Sequence, residues 1–552
     1  MSSQTIGKVT ATESRPTTCD VVRFWIDDDV ILRPFDIVKI DHLHDSHTYA
    51  IVQGLHHMTD SPGHLASYVS SDFGSLQAEP LNKRLGTTVA EAHILFNTKE
   101  IEMPLRNGAR VEWADIDGIR RALGLDSILQ GIPGGWIETS NGQSVPIEFD
   151  ARYLIGPEGA HLNIAGISGM AAKTSYVMFL LNSIYQSIGG DVSIVLFNVK
   201  GSDLLAIDRD PEALTDKVRD QWGKCALSPT PFRNVVYLYP FANRPHNCFT
   251  NSHNAIGILR EQYEQGIASN YYYDVSTVRD YRILPLIFAD VEDPTGTMES
   301  VFQAVCESDA FDRDSWGAFR SEVRQRTQAG QRGGRDISVQ SWRKFSRILR
   351  TRTQGDLFTE KSVQAERFQE LVFDSVIKHL PERRVIVVDI EPLPAYLQAL
   401  VVGDVVNTIY RAKLGDFEED VAPRELGKVI VFADELNKYA PKGSQSGGGR
   451  ALTSTLLEIT ERGRSLGVVL FGAEQFRSGV HDRVLGNCST NAYGRTSPVE
   501  IQKCADYRHF PDAYKATVAR LPQGQLLLQH AVFRTHLIRT RFPEPCYYQP
   551  KA

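Results

Sequence analysis

Cysteine is scarce in this chain and follows no pattern. Seven occur among 552 residues, at Cys19, Cys225, Cys248, Cys306, Cys488, Cys504 and Cys546, with no C-x-x-C pair. An odd number without paired spacing argues against a disulfide framework and against a zinc ribbon. The thiols are those expected of a chain in a reducing, cytoplasmic compartment. No apolar run approaches the roughly 18 residues that a membrane helix needs, so no span is expected. Residues 1–20 lack an apolar centre and do not read as a secretory signal. No repeat of fixed period is visible, which argues against solenoids and propellers. Positive charge is not in excess: 60 Lys+Arg against 67 Asp+Glu give a net charge of −7. Any nucleic-acid contact must therefore come from local basic clusters. With 42% hydrophobic and 23% charged residues, disordered and fibrous classes are excluded and a large buried core is within reach.

The chain changes rhythm along its length. In residues 1–110, short alternating or apolar runs (20–26, 36–40, 48–52) are separated by turn signals, as in a small β-barrel. Residues 111–149 read as a connector. From about residue 150, apolar strand-like runs alternate with helical stretches: 161–165, 192–199, 234–239, 284–288, 384–389, 428–434 and 468–472. Such runs suit strands buried on both faces of a largely parallel sheet in an α/β domain. Residues 292–382 are rich in helix formers and read as an insertion. They divide the α/β part into a first section, 150–291, and a second, 383–552. Residues 442–450 (K-G-S-Q-S-G-G-G-R) read as a flexible loop.

Three groups of residues carry chemistry. The first is H-L-N-I-A-G-I-S-G-M-A-A-K-T-S, residues 161–175. A strand enters a small-residue turn, and Lys173-Thr174 opens an apolar helix. Backbone N–H groups of Gly166, Ser168, Gly169, Met170, Ala171, Ala172 and Ser175 can cradle phosphates, helped by the helix dipole. Lys173 is placed to reach the outer phosphates of ATP, and the Thr174 hydroxyl to hold Mg²⁺. The spacing departs from G-x-x-x-x-G-K-[ST]: Ile167 and Ala172 stand where glycines are usual. Taken alone, the segment also reads as a tight strand-to-helix turn.

The second group is K-V-I-V-F-A-D-E, residues 428–435, an apolar strand running into two acids. Ligands of parallel sheets lie beyond the carboxyl ends of strands. There Asp434 would support the metal and Glu435 would orient or deprotonate water. The other reading is a strand ending at the surface. The third is E-R-G-R-S-L-G, residues 461–467, followed by a strand ending in Ala473-Glu474-Gln475. Gln475 is a candidate sensor of the terminal phosphate or a plain surface amide. Arg464, and less so Arg462, are candidates to complete a neighbouring subunit's site, since transferred phosphate needs cationic stabilisation; alternatively Arg462 pairs with Glu458 at i, i+4. Arg495 is a weaker candidate.

In this order the motifs resemble the HerA branch of the FtsK/HerA family of hexameric DNA-translocating ATPases. The likeness rests on I-G-K-V at residues 6–9, A-H-L-N-I-A-G-I-S-G followed by K-T-S, V-I-V-F-A-D-E-L, and E-R-G-R-S-L-G leading to F-G-A-E-Q, with a β-rich stretch over 525–542. The resemblance implies a P-loop (RecA-like) core, ATP and Mg²⁺ as cofactors, a homohexamer, and double-stranded DNA as the translocated partner. It also implies an effector or nuclease subunit, docked on the N-terminal barrel, in DNA end processing or antiviral defence. The glycine-poor loop leaves open a ring-forming scaffold with slow or absent hydrolysis.

Residues 313–352 carry eleven Lys+Arg against three acids, a local +8 within a chain of −7. Such a cluster can neutralise DNA phosphates without reading bases, or can be a solvated helical face.

Overall fold

The computed structural model describes residues 4–70, 72–75, 85–167, 172–188, 191–289, 291, 293, 296–328, 337–417, 421–443 and 449–550. Ser168, Gly169, Met170 and Ala171 of the candidate phosphate loop lie outside them, as do residues 444–448.

Six strands close an antiparallel barrel: β1 (Thr5–Val9), β2 (Val21–Ile26), β3 (Ile37–Asp41), β4 (His47–Thr59), β5 (Gly86–Asn97) and β6 (Arg110–Trp113), in the order β1-β2-β5-β4-β3-β6. Alternation makes the core. In β2, Val22, Phe24 and Ile26 point inward while Arg23 and Trp25 stay outside. β1 must approach β2 closely at Gly7, where a Cβ would stand 2.2 Å from the Trp25 carbonyl oxygen.

The other strands form one sheet of thirteen. They are β7 (Gly131–Glu138), β8 (Ser144–Asp150), β9 (Leu162–Ala165), β10 (Val192–Asn198), β11 (Val235–Pro240), β12 (Ala268–Tyr272), β13 (Gln369–Leu371), β14 (Val385–Asp389), β15 (Lys428–Asp434), β16 (Val468–Glu474), β17 (Thr490–Tyr493), β18 (Gln525–His530) and β19 (Ile538–Arg541). Their order is β13-β12-β11-β14-β10-β15-β16-β9-β17-β18-β19-β7-β8. From β13 to β17 all pairings are parallel; from β17 onward they are antiparallel. β10 and β14 are buried along their whole length, as parallel strands covered on both faces must be.

Two elements depart from the sequence-based expectation. Residues 284–288, expected as a strand, form a 3₁₀ helix, Leu284–Phe288. Pro285 supplies no N–H to a ladder and fixes φ near the helical value, so burial of this apolar run is met by a helical turn. Residues 111–149, read as a connector, contribute β7 and most of β8 to the large sheet, where β7 pairs with β19.

Within residues 292–382, the helices Thr297–Glu307, Trp316–Gln325 and Val339–Arg352 bury an aromatic cluster. Phe345 stacks on Phe288 with centroids 5.0 Å apart, and Trp342 on Phe311 at 5.7 Å. The hydroxyls of Ser315 and Ser338 accept from the third backbone N–H of the helices they cap.

Candidate functional site

Register brings the motifs to one edge of the sheet. β16 lies between β9 and β15, with Ala473 beside Asp434 and Glu474 beside Ala165. Because the three strands are parallel, Gly166, Asp434, Glu435, Glu474 and Gln475 all stand at the carboxyl edge. Gly166 N–H donates to the Glu474 carbonyl at 3.1 Å, and Ile167 N–H to the Arg495 carbonyl at 2.8 Å. These bonds tie the exit of β9 to both neighbouring strand ends.

Lys173 is the second residue of the helix Ala172–Ser187, whose N-terminus faces the same edge. Its Nζ lies 3.9 Å from Glu435 Oε1, and the residue is only 5% exposed. Among the described residues the ammonium has no hydrogen-bond partner. Burial lowers its pKa, while Asp434 and Glu435 oppose that shift. A buried cation without a hydrogen-bond acceptor is costly unless a ligand supplies one, and the outer oxygens of a triphosphate would do so. Thr174 and Ser175 are half-buried on the same turn.

Glu435 ends β15 in the left-handed region, φ 58° and ψ 47°, a conformation that costs a non-glycine residue on the order of 1 kcal/mol or more. Its N–H donates to Asp434 Oδ1 at 2.9 Å, which fixes the two carboxylates relative to each other. Gln475 Nε2 donates to Glu435 Oε1 at 2.8 Å. Lys200 Nζ stands 3.4 Å from Glu435 Oε1 and 3.8 Å from Asp434 Oδ2. Burial pushes the Glu435 carboxyl up, but the Gln475 hydrogen bond and the Lys173 and Lys200 charges together hold it below its ordinary value.

The structure thus brings together Lys173, Asp434, Glu435 and Gln475. Asp434 and Thr174 are hard oxygen donors, and Mg²⁺ in a triphosphate site takes one or two protein oxygens together with phosphate and water. Among the described residues no group of three or more His, Cys, Asp or Glu could hold a metal by itself.

Arg462 and Arg464 are not part of this constellation. Both are exposed near the end of the helix Gly449–Leu466, which leads into the amino end of β16. Arg464 Nη1 donates to the Glu158 carbonyl at 3.2 Å, ahead of the start of β9. They therefore stand by the opposite edge of the sheet from the acidic pair of their own chain. Arg495 is exposed at the carboxyl edge, directly after β17 and Gly494.

Several residues at or beneath the site carry no motif. Lys200 follows β10, two residues beyond a strand whose carboxyl end faces the site. Glu474 is fully buried between Lys173 and Arg477: Oε2 accepts from Asn163 Nδ2 at 2.9 Å, whereas Oε1 has no hydrogen-bond partner among the described residues. Burial pushes its carboxyl up to about 8, against Arg477, Asn163 and Lys173. Arg477 is itself 2% exposed and donates to Asp506 Oδ2 at 2.6 Å, to Asn491 Oδ1 at 2.8 Å and to Asn163 Oδ1. Its guanidinium lies 5.2 Å from the Tyr493 ring centroid. The sequence signal was present in Asn163, a polar residue inside an otherwise apolar strand.

Among the described residues no helix is long and apolar enough to cross a membrane. No protein-family description and no curated protein sequence matches the chain. The solved structures that resemble it include the following three. The bacterial conjugative coupling protein TrwB is 12% identical over 74% of this chain and 89% of its own, with a TM-score of 0.39. VirB4 of Thermoanaerobacter pseudethanolicus is 13% identical over 75% of this chain and 96% of its own, with a TM-score of 0.42. The genome packaging NTPase B204 from Sulfolobus turreted icosahedral virus 2, in complex with ATP-gammaS, is 15% identical over 30% of this chain and 71% of its own, with a TM-score of 0.22. These scores are too low to assign any residue a role.

Proposed function

We propose that the chain is an ATP hydrolase of the HerA-like type, working as a homohexameric motor on double-stranded DNA. The observation that supports this most is the convergence of Lys173 with the Asp434-Glu435 pair and Gln475 at one sheet edge. In this reading Lys173 neutralises the outer phosphates, while the N-terminal turn of its helix, with Thr174 and Ser175, holds them. Asp434 and Thr174 would hold Mg²⁺, which would supply charge to neutralise the phosphates. Glu435, kept ionised by Lys173, Lys200 and Gln475, accepts a hydrogen bond from the attacking water and so orients it. Gln475 holds Glu435 and relays the state of the site along β16.

Arg464, with Arg462 beside it, would serve the site of the next subunit in the ring, since it stands away from the site of its own chain. The barrel, with its own closed core, is the surface assigned to an effector or nuclease subunit, in DNA end processing or antiviral defence. The test is Glu435→Gln. The variant should bind ATP as the wild type does and lose nearly all turnover, and duplex DNA should stimulate the wild type in a manner that fades with added salt. Normal turnover in the variant would overturn the site assignment. Wild-type ATP binding with turnover absent under all conditions would favour a ring-forming scaffold instead.

A further inference from the structure

A second basic feature lies outside the candidate ATP site. Between the helices Trp316–Gln325 and Val339–Arg352 runs a groove of about 430 Å³, into which both helices turn arginines: Arg320 and Arg324 from one, Arg343, Arg347 and Arg350 from the other. Helical spacing explains the stripes. Arg320 and Arg324 are four residues apart, and Arg343, Arg347 and Arg350 follow at four and three, so each set shares a face. The opposite faces, with Phe319, Trp342 and Phe345, are buried in the aromatic cluster.

Among the described residues the groove is lined by no acid. Its other lining residues are small, hydroxylic or apolar, such as Gly317, Ser321, Thr327, Ser346 and Leu349. Glu322, on the same helix, faces elsewhere and pairs with Arg313 and Arg326 at 3.2 and 3.1 Å. Arg320 is anchored on Thr353 Oγ1 at 3.2 Å and over the Trp316 ring, and Arg343 on the Thr327 carbonyl at 3.3 Å. Arg324, Arg347 and Arg350 are exposed and have no ion pair among the described residues. Like charges gathered in a concave site with an apolar floor raise the local potential and draw in polyanions, and guanidinium forks match phosphate oxygens in pairs. Among the described residues the lining offers no aromatic face for stacking a base and no amide or carboxylate for reading a base edge, so it suits phosphates.

The segment is also placed for such a role. Trp316 Nε1 donates to the Tyr273 carbonyl at 3.0 Å, immediately past the carboxyl end of β12. The first of the two helices is thus anchored at the same sheet edge that carries Lys173 and Glu435.

We infer that this arginine groove binds consecutive phosphates of a DNA backbone, without sequence preference, as a track separate from the ATP site. The inference rests on the motor reading for its choice of DNA as the polyanion. The experiment measures binding of a short fluorescein-labelled duplex by anisotropy across a salt series, for the wild type and for the triple variant Arg324→Ala/Arg347→Ala/Arg350→Ala. Binding of a fluorescent ATP analogue and basal ATP turnover are measured alongside. The variant should weaken duplex binding about tenfold or more at low salt and reduce the salt slope by about one for each arginine that touches a phosphate. ATP-analogue binding and basal turnover should stay unchanged, and the matching triple lysine variant should recover most of the affinity. Unchanged affinity and slope in the alanine variant would overturn the groove while leaving a Glu435-dependent ATPase standing. Loss of duplex binding in a chain whose turnover ignores Glu435→Gln would instead support the groove and overturn the motor reading. A wild type that binds inorganic tripolyphosphate but no duplex would overturn DNA as the ligand.

Discussion

Lys173 Nζ and Glu435 Oε1 lie 3.9 Å apart, one on the first turn of the helix after β9 and the other just past the end of β15, with β16 between the two strands. Neither strand touches the other. The gap is closed by the length of the lysine side chain and by the left-handed turn that aims Glu435 across the end of β16.

Nucleotide should therefore stabilise the wild type through Lys173. Its ammonium is buried without a hydrogen-bond partner among the described residues, so phosphate oxygens would satisfy a donor that those residues leave unmet. Thermal unfolding with and without ATP and Mg²⁺ is the measurement. Saturating ligand at about 100 Kd stabilises a single site by about 2.7 kcal/mol, and Lys173→Ala should lose that increment. A variant that keeps the full ligand-induced rise in Tm would remove Lys173 from the site.

Lys200 should tune the acid limb of turnover. It and Lys173 favour the ionised form of Glu435, opposing the upward push of burial. If Glu435 must be ionised to orient water, removing one cation lets its carboxyl titrate at higher pH. Lys200→Ala should then shift the acid limb of the pH–kcat profile upward. An acid limb that stays in place would show that Lys200 only decorates the entrance.

The large-scale plan was legible because strands buried on both faces write themselves as apolar runs: residues 428–434 are expected as a strand and form one with those limits. The position of the acidic pair was legible too, since Asp434 and Glu435 close that run at the strand's carboxyl end. Pairing was less accessible. Nothing local says that β16 separates β9 from β15, because strand order is fixed by crossover packing among distant segments. Lys200 and Glu474 escaped for the same reason: each matters only through neighbours from other strands. The 3₁₀ turn at Leu284–Phe288 was misread because apolar content marks burial, while Pro285 decides the backbone.

Arg477 should be a structural keystone beneath the site. It joins Asn163, Asn491 and Asp506 and lies beside buried Glu474. Deleting one partner of a buried charged network costs about 3–5 kcal/mol, because the remaining groups lose their compensation. Arg477→Ala should lower the midpoint of urea unfolding accordingly and yield little folded protein at elevated temperature. A midpoint within error of the wild type would show that water replaces the guanidinium without loss.

Glu474 sets a dependence of stability on pH that can be isolated by difference. Its folded carboxyl titrates at about 8 because burial opposes ionisation, whereas an unfolded glutamate titrates at roughly 4.3. Between those values the folded chain holds a proton that the unfolded chain has released. Stability contributed by this group is therefore complete at pH below the lower value and is lost as pH rises through the window. Asp389 and Asp404, pushed up to about 6 and about 7 by burial, act in the same direction, so the wild-type curve alone cannot assign the effect. Glu474→Gln keeps the shape of the protonated side chain and its acceptor for Asn163. The variant should match the wild type at about pH 4 and below and gain on it steadily toward pH 8, by an amount on the order of a few kcal/mol. Urea unfolding of both proteins at a series of pH values reads that difference, and a difference that stays constant across the series would mean that Glu474 is ionised in the folded chain and paired with Arg477.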